Sequence, residues 1–198
     1  LKYDYNDKTG NGYLLLMVHP ETSYNINFEL IKDRNIIFRS NDSLIWKTPS
    51  LPSDPLMFPD IEHVAYDSSK IAKGYTMVNP RRRIAIDQPD AEEMNQSFGM
   101  LLAMDKKGKV VWYYKTNSRI SDFDLLPDNK IQYLTQDSRI TVIDFMGNTL
   151  NTWYADGRPE GTTSEATPVN AMVFHHDVTL MPNGNRVVVS AECKEIEN

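Results

Sequence analysis

A turn-and-strand pattern occurs twice in the second half of the chain, and it limits the fold more than any other feature. Leu101-Leu102-Ala103-Met104-Asp105-Lys106-Lys107-Gly108-Lys109-Val110-Val111-Trp112 reads as an apolar strand, an Asp-x-x-Gly turn and a second strand. Ile140-Thr141-Val142-Ile143-Asp144-Phe145-Met146-Gly147-Asn148-Thr149-Leu150 has the same form. Asp105 and Asp144 are expected to cap the turns with their carboxylates, and Gly108 and Gly147 to supply the positive φ that closes a hairpin. Each hairpin is followed by a strand that runs into a proline-centred turn. In the first copy this is 122–134, around Pro127-Asp128-Asn129; in the second it is 177–189, around Pro182-Asn183-Gly184. Each copy therefore reads as two hairpins in succession. Such a unit cannot bury both of its faces alone, so it must stack on copies of itself.

The arrangement that stacks four-stranded units while protecting their edges is a β-propeller, which closes with about four to eight blades. The chain holds roughly two, which predicts the N-terminal part of a longer ring that continues beyond residue 198. Two blades alone would leave apolar faces and sheet edges open, so the isolated chain is expected to be poorly stable or to aggregate.

The first half is also all-β in pattern. Between residues 23 and 46 apolar residues alternate in short runs around Ile26, Phe28 and Leu30, then Ile36 to Phe38, then Leu44 to Trp46. The turn-formers Lys32-Asp33-Arg34-Asn35 and Asn41-Asp42-Ser43 separate them, which suggests the hairpins of a sandwich. Four prolines, Pro49, Pro52, Pro55 and Pro59, then deny ladder N–H groups across 48–59 and predict an irregular connection. The segment 84–96 is polar, acidic and without period, and reads as a surface loop. The fold class is thus all-β, with a sandwich-like segment over 1–66 and partial propeller over 67–198.

Composition excludes several functions. At 40% hydrophobic and 24% charged the chain is globular rather than disordered. Lys+Arg 21 against Asp+Glu 27 gives a net charge of -6, which leaves no broad basic surface for a nucleic acid. The longest apolar run, 13–18, is strand length and far short of the roughly 18 residues of a membrane span. One cysteine, Cys193, excludes an internal disulfide and a cysteine-cluster metal site. The sequence opens on Leu1 without a charged and then apolar leader, as expected of a processed or excised chain.

His175-His176-Asp177 carries the chemistry best. It opens a strand after the polar loop 156–170, and the first strand of a propeller blade lines the axis, where residues of several blades converge. Imidazole can donate to an anionic oxygen, take a proton near neutrality or act as a nucleophile, and an adjacent carboxylate can fix its tautomer. The bland alternative is a strand cap beside an ordinary exposed histidine. By the internal alignment Ser121 occupies the equivalent place in the preceding unit and is expected to line the same channel. His19 and His63 have no companions at metal-ligand spacing. Arg81-Arg82-Arg83 reads as a solvated basic cluster, and Trp112 and Trp153 as core rather than a substrate platform. Gly10-Asn11-Gly12 lacks the lysine and the strand-to-helix context of a phosphate loop.

Gly74-Tyr75-Thr76, the hairpin 101–112, the segment 122–134, and His175-His176-Asp177 followed by Leu180-Met181-Pro182-Asn183-Gly184-Asn185 together resemble the bacterial aryl-sulfate sulfotransferase family. The resemblance covers most of the chain. It implies a periplasmic or exported enzyme, a small β-sandwich followed by a six-bladed propeller, that moves a sulfuryl group from a phenolic sulfate ester to a phenol. Neither a nucleotide donor, a cofactor nor a metal is implied, and a homodimer is compatible with it. In the family a channel histidine is transiently sulfated while other histidines and an arginine hold the sulfuryl oxygens. The resemblance assigns a supporting role to His176, with His175 as second choice, and places the nucleophile in a later blade. Asp177 is expected to orient the imidazole. The competing readings are a non-catalytic propeller that binds a protein or glycan and, with no stacking groups identified for it, a quinone-dependent dehydrogenase.

Overall fold

The computed structural model describes residues 17–62, 67 and 69–192. His63, Cys193, Gly10-Asn11-Gly12 and most of the apolar run 13–18 lie outside the described residues, as does the expected boundary at 66. No helix among the described residues is long and apolar enough to cross a membrane.

The three apolar runs read from the first half form four strands: the first run divides into β1 (Ser23–Ile26) and β2 (Glu29–Lys32), and the others are β3 (Asn35–Arg39) and β4 (Leu44–Lys47). β2 pairs with β3 and β1 with β4, so the four form one long two-stranded ribbon. Its tip is the two-residue loop Asp33-Arg34, both at positive φ, the backbone that matches the twist of paired strands. Between the two ladders Ser40 N donates to Phe28 O at 2.8 Å and Ser43 Oγ to Asn27 Oδ1, which keeps the strands together through the irregular step. At the ribbon's root the buried Thr48 hydroxyl donates to His19 O at 2.6 Å and accepts from Thr22 N at 2.9 Å. His19 in turn places Nε2 2.9 Å from Asp105 Oδ2, docking the root onto a turn 86 residues away.

The proline-rich connection is irregular, as expected, and it is part of the core. Phe58 is buried with Phe98, Met100, Leu102 and Val110, and Leu51 packs against them. Two expectations are corrected beside it. The segment 84–96 is not all loop: it contains α1 (Ala91–Gln96). Six residues are too few to show a helical period, but Glu92 and Glu93 suit the first turn, and Asn95 bonds Ile84 N and O at 2.7 and 3.0 Å. The arginine cluster is not simply solvated either. Arg82 donates to Leu56 O at 2.9 Å and to Met94 O, and stacks 5.0 Å from the Phe98 ring, so it clasps the connection to the helix.

The repeat builds three sheets. The first is β5 (Thr76–Val78), β6 (Gly99–Met104) and β7 (Val110–Thr116), in the order β5-β6-β7. The second contains β8 (Ile120–Leu126), β9 (Lys130–Thr135), β10 (Arg139–Asp144) and β11 (Thr149–Ala155), antiparallel in sequence order, with β12 (Thr167–Val169) parallel to β11 at the edge. The third is the hairpin β13 (His175–Leu180) and β14 (Arg186–Val189). The grouping of hairpins read from sequence is therefore shifted by one. The Asp105 hairpin belongs to the first sheet and the Pro127 hairpin that follows it opens the second. The second sheet starts with its proline turn and ends with its Asp-x-x-Gly turn, because the link 117–119 crosses between sheets.

The turn chemistry repeats almost atom for atom. Asp105 Oδ1 accepts from Lys107 N and Lys109 N at 2.8 and 2.9 Å, and Asp144 Oδ1 from Met146 N and Asn148 N at the same two distances. Gly108 and Gly147 take φ 70 and 85. Burial raises both carboxyls, but at Asp105 the His19 ring and the two amides outweigh it, and at Asp144 the Asn148 side chain and the amides do; both end below the usual range.

Alternate residues of the second sheet point to opposite faces and both faces are apolar. Ile131, Tyr133 and Ile143 pack with Leu101, Ile120 and Trp112 toward the first sheet; Leu134, Ile140 and Ala155 pack with Phe174 and Val178 toward the third. Trp112 and Trp153 are core-edge residues as expected, the former donating Nε1–H to Phe145 O at 2.8 Å. Asp144→Ala leaves two turn amides without their acceptor and is expected to cost about 1 kcal/mol in urea unfolding at neutral pH. With a folded-state value below 3.8, the Asp144 contribution is complete above that pH and is lost as pH falls through the folded value, so the gap between wild type and variant should close in acid.

Candidate functional site

Phe174 and Val178 are buried, and they anchor β13 on either side of the three residues that carry the chemistry. A regular strand between them would turn alternate side chains inward. Instead the ladder steps from His175↔Val189 to Val178↔Val188, so His176 and Asp177 are extra residues in a bulge. His176 takes φ 62, a left-handed conformation that costs a non-glycine residue about 1–3 kcal/mol and persists where its surroundings over-determine it. The result is that His175, His176 and Asp177 are all exposed. The two imidazoles stack with centroids 5.5 Å apart and planes at 27°.

Ser121 sits at the matching point of β8, where the ladder steps from Ile120↔Thr135 to Asp122↔Leu134. The internal alignment that paired Ser121 with His176 thus corresponds to a shared backbone irregularity. The two irregular strands are also bonded to each other. Asp122 Oδ2 accepts from Val178 N at 3.3 Å, and Gln132 Nε2 of β9 donates to Val178 O at 3.0 Å. Gln132 Oε1 in turn accepts from Arg186 Nε, whose guanidinium lies 4.2 Å over the Trp153 ring.

Asp177 is turned toward Thr179 Oγ1, at 3.5 Å, and toward the Asp122 carboxyl, not toward either ring among the described residues. An orienting role for Asp177 on His176 has no contact behind it. Asp122, Asp124 and Asp177 form an acidic cluster where β8 meets β13. Burial pushes Asp122 and Asp124 up, and repulsion from Asp177 adds to it, together with that from Asp122 in the case of Asp124. No group of three or more His, Cys, Asp or Glu able to hold a metal occurs among the described residues. His19 is occupied in docking the ribbon to Asp105. A separate cavity of about 300 Å³ between β7 and β9–β11 is lined by Tyr114, Tyr133, Arg139 and several threonines, and none of His175, His176, Asp177 or Ser121 reaches it.

Sequence reasoning missed Asp122, Asp124 and Gln132. The repeat held a signal for the first, since Asp122 and Asp177 each stand three residues before a Leu-x-Pro; nothing in the sequence marks Gln132, whose part depends on a neighbour 46 residues away.

Residues 60–198 match the family model of the arylsulfotransferases (ASST). The chain belongs to the arylsulfotransferase family. No curated protein and no solved structure matches it. The arylsulfotransferase match takes in β5 through β14, and with them both bulges and the acidic cluster, while the ribbon β1–β4 lies outside it.

The carboxylate cluster allows a test of the local electrostatics. Asp124 titrates above 3.8 in the fold, so folding is favoured most where it is protonated, and that advantage is lost as pH rises through the folded value. Asp124→Asn, which accepts no charge, is therefore expected to melt higher than wild type at pH 7 and to lose this gain below about pH 4. Equal melting temperatures at pH 7 would show that neither the burial of Asp124 nor the repulsion from its neighbours is felt.

Proposed function

We propose that this arylsulfotransferase chain carries part of the site for nucleotide-independent transfer of a sulfuryl group from a phenolic sulfate ester to a phenol. The observation that carries the reading is the bulge in β13. It holds His176 in a costly left-handed backbone and turns two imidazoles out to solvent, in a family whose named chemistry is transfer to or from an aryl oxygen.

In the proposed sequence an imidazole nitrogen attacks the sulfur of the ester, and the bond from sulfur to the aryl oxygen breaks with its electron pair leaving on the phenolate. The acceptor phenol then gives its proton to a base, its oxygen attacks the sulfur of the sulfohistidine, and the nitrogen–sulfur bond breaks to restore the imidazole. Charge spreads over the three peripheral oxygens throughout, so fixed donors aimed at them lower the barrier. His176 supplies one such N–H, with His175 beside it as the second, and Ser121 lines the same mouth from the neighbouring strand. The loss of one donor of this kind costs about 3 kcal/mol in the transition state. The nucleophilic imidazole belongs to a blade after residue 198, so the 198-residue chain alone is inactive. Residues 67–198 then form the first blades of a propeller, and 1–66, with its two-stranded ribbon, part of a sandwich-like domain, in an exported or periplasmic protein that takes small phenols and their sulfates.

The test follows p-nitrophenol release from p-nitrophenyl sulfate, with and without phenol, using the full-length protein that carries this chain. Wild type is expected to need the acceptor, and His176→Asn, chosen because asparagine tolerates the left-handed backbone, to lower kcat about a hundredfold with its melting temperature kept. Release unaffected by the substitution would remove His176 from the site. A folded protein that transfers nothing across several donors and acceptors would instead favour a binding propeller.

A further inference from the structure

The bulge that presents His176 is held from outside its own hairpin, and the groups that hold it are specific. β13 pairs only with β14 among the described strands, so its other edge offers backbone groups with no ladder to join. Gln132 and Ser138, both fully buried, and the half-buried Asp122 meet that edge from the second sheet. Ser138 Oγ lies 3.5 Å from Phe174 O, before the bulge; after it, Asp122 Oδ2 accepts from Val178 N at 3.3 Å and Gln132 Nε2 donates to Val178 O at 3.0 Å. Both backbone polar groups of Val178, its N–H and its C=O, are thus fixed by side chains of the neighbouring sheet, at the residue where the register resumes.

We propose that Asp122 and Gln132 are positioning residues of the sulfuryl-transfer site, which hold the two-residue bulge open by clamping Val178 and so set where the His176 imidazole points. The role rests on the function proposed above. It requires hydrogen bonds, not charge: an acceptor at position 122 and a donor at position 132. Removing either frees the bulge to relax, and His176 to leave the left-handed region that β13 would otherwise avoid. Neither residue touches substrate, so the loss should fall on kcat rather than on KM for the sulfate ester.

Asp122→Ala in the full-length protein is expected to lower kcat by about ten- to a hundredfold, as for a donor displaced by an ångström or less, with KM changed by less than about threefold. Asp122→Asn keeps an acceptor for Val178 N–H and should recover most of that loss. Gln132→Glu keeps a partner for Arg186 but loses the donor to Val178 O, and should behave like Asp122→Ala while melting cooperatively. The Cα and Cβ chemical shifts of His176, which report its backbone conformation, should leave the left-handed range in Asp122→Ala and Gln132→Glu and stay there in Asp122→Asn. Asp122→Asn as impaired as Asp122→Ala, or His176 shifts unmoved in both disruptive variants, would overturn the clamp. If wild type transfers no sulfuryl group, the function falls, and the shifts alone decide whether the clamp exists.

Discussion

A sheet with two apolar faces must be covered on both, and the β8–β12 sheet is one. Ile131, Tyr133 and Ile143 leave one face; Leu134 and Ile140 leave the other, and almost none of these side chains is exposed. Fully burying each is worth about 1.5–3 kcal/mol, so the sheet has no stable existence away from neighbours. That requirement brings β5–β7 against one face and β13–β14 against the other. Everything of chemical interest lies where the third sheet meets the second, because there the backbone edge of β13 comes within reach of side chains on β8 and β9.

The strands and turns were legible in the sequence because their causes are local. Asp105 and Asp144 bond amides two and four residues on, and Gly108 and Gly147 take a φ that other residues avoid, so each turn is written within five residues. The phase of the repeat was not local. Hairpins 101–112 and 122–134 are neighbours in sequence but lie in different sheets, and only the pairing of β8 through β11 shows where a unit begins. Arg82 was misread for a similar reason. Three consecutive arginines look solvated, yet the middle one meets Leu56, Met94 and Phe98, none of them adjacent to it.

The candidate site divides in the same way. His175-His176-Asp177 could be singled out by residue type, and Ser121 by alignment with the repeat. What could not be read was the backbone that makes them a site. A bulge of two residues is invisible in composition, and Asp177, expected to serve the imidazole beside it, is turned instead to Asp122 and Thr179. The bulge interrupts the alternation on which strand reading depends, so the residue next in sequence is no longer the partner in space.

The electrostatics explain why such a site would need its donors held close. In the proposed transfer an aryl sulfate, itself an anion, would approach a chain of net charge -6, with Asp122, Asp124 and Asp177 gathered beside the histidines. The long-range field offers no attraction, and exposed charges beyond roughly 10 Å are largely screened in any case. Stabilisation has to come from short, directed N–H donors. Asp122 contributes to this by spending its carboxylate on a backbone amide behind the bulge. An acid that fixes the backbone of a donor strand helps an anionic transition state; the same acid facing the substrate would oppose it. Which of these an acidic residue does is decided by the strand irregularity that aims it.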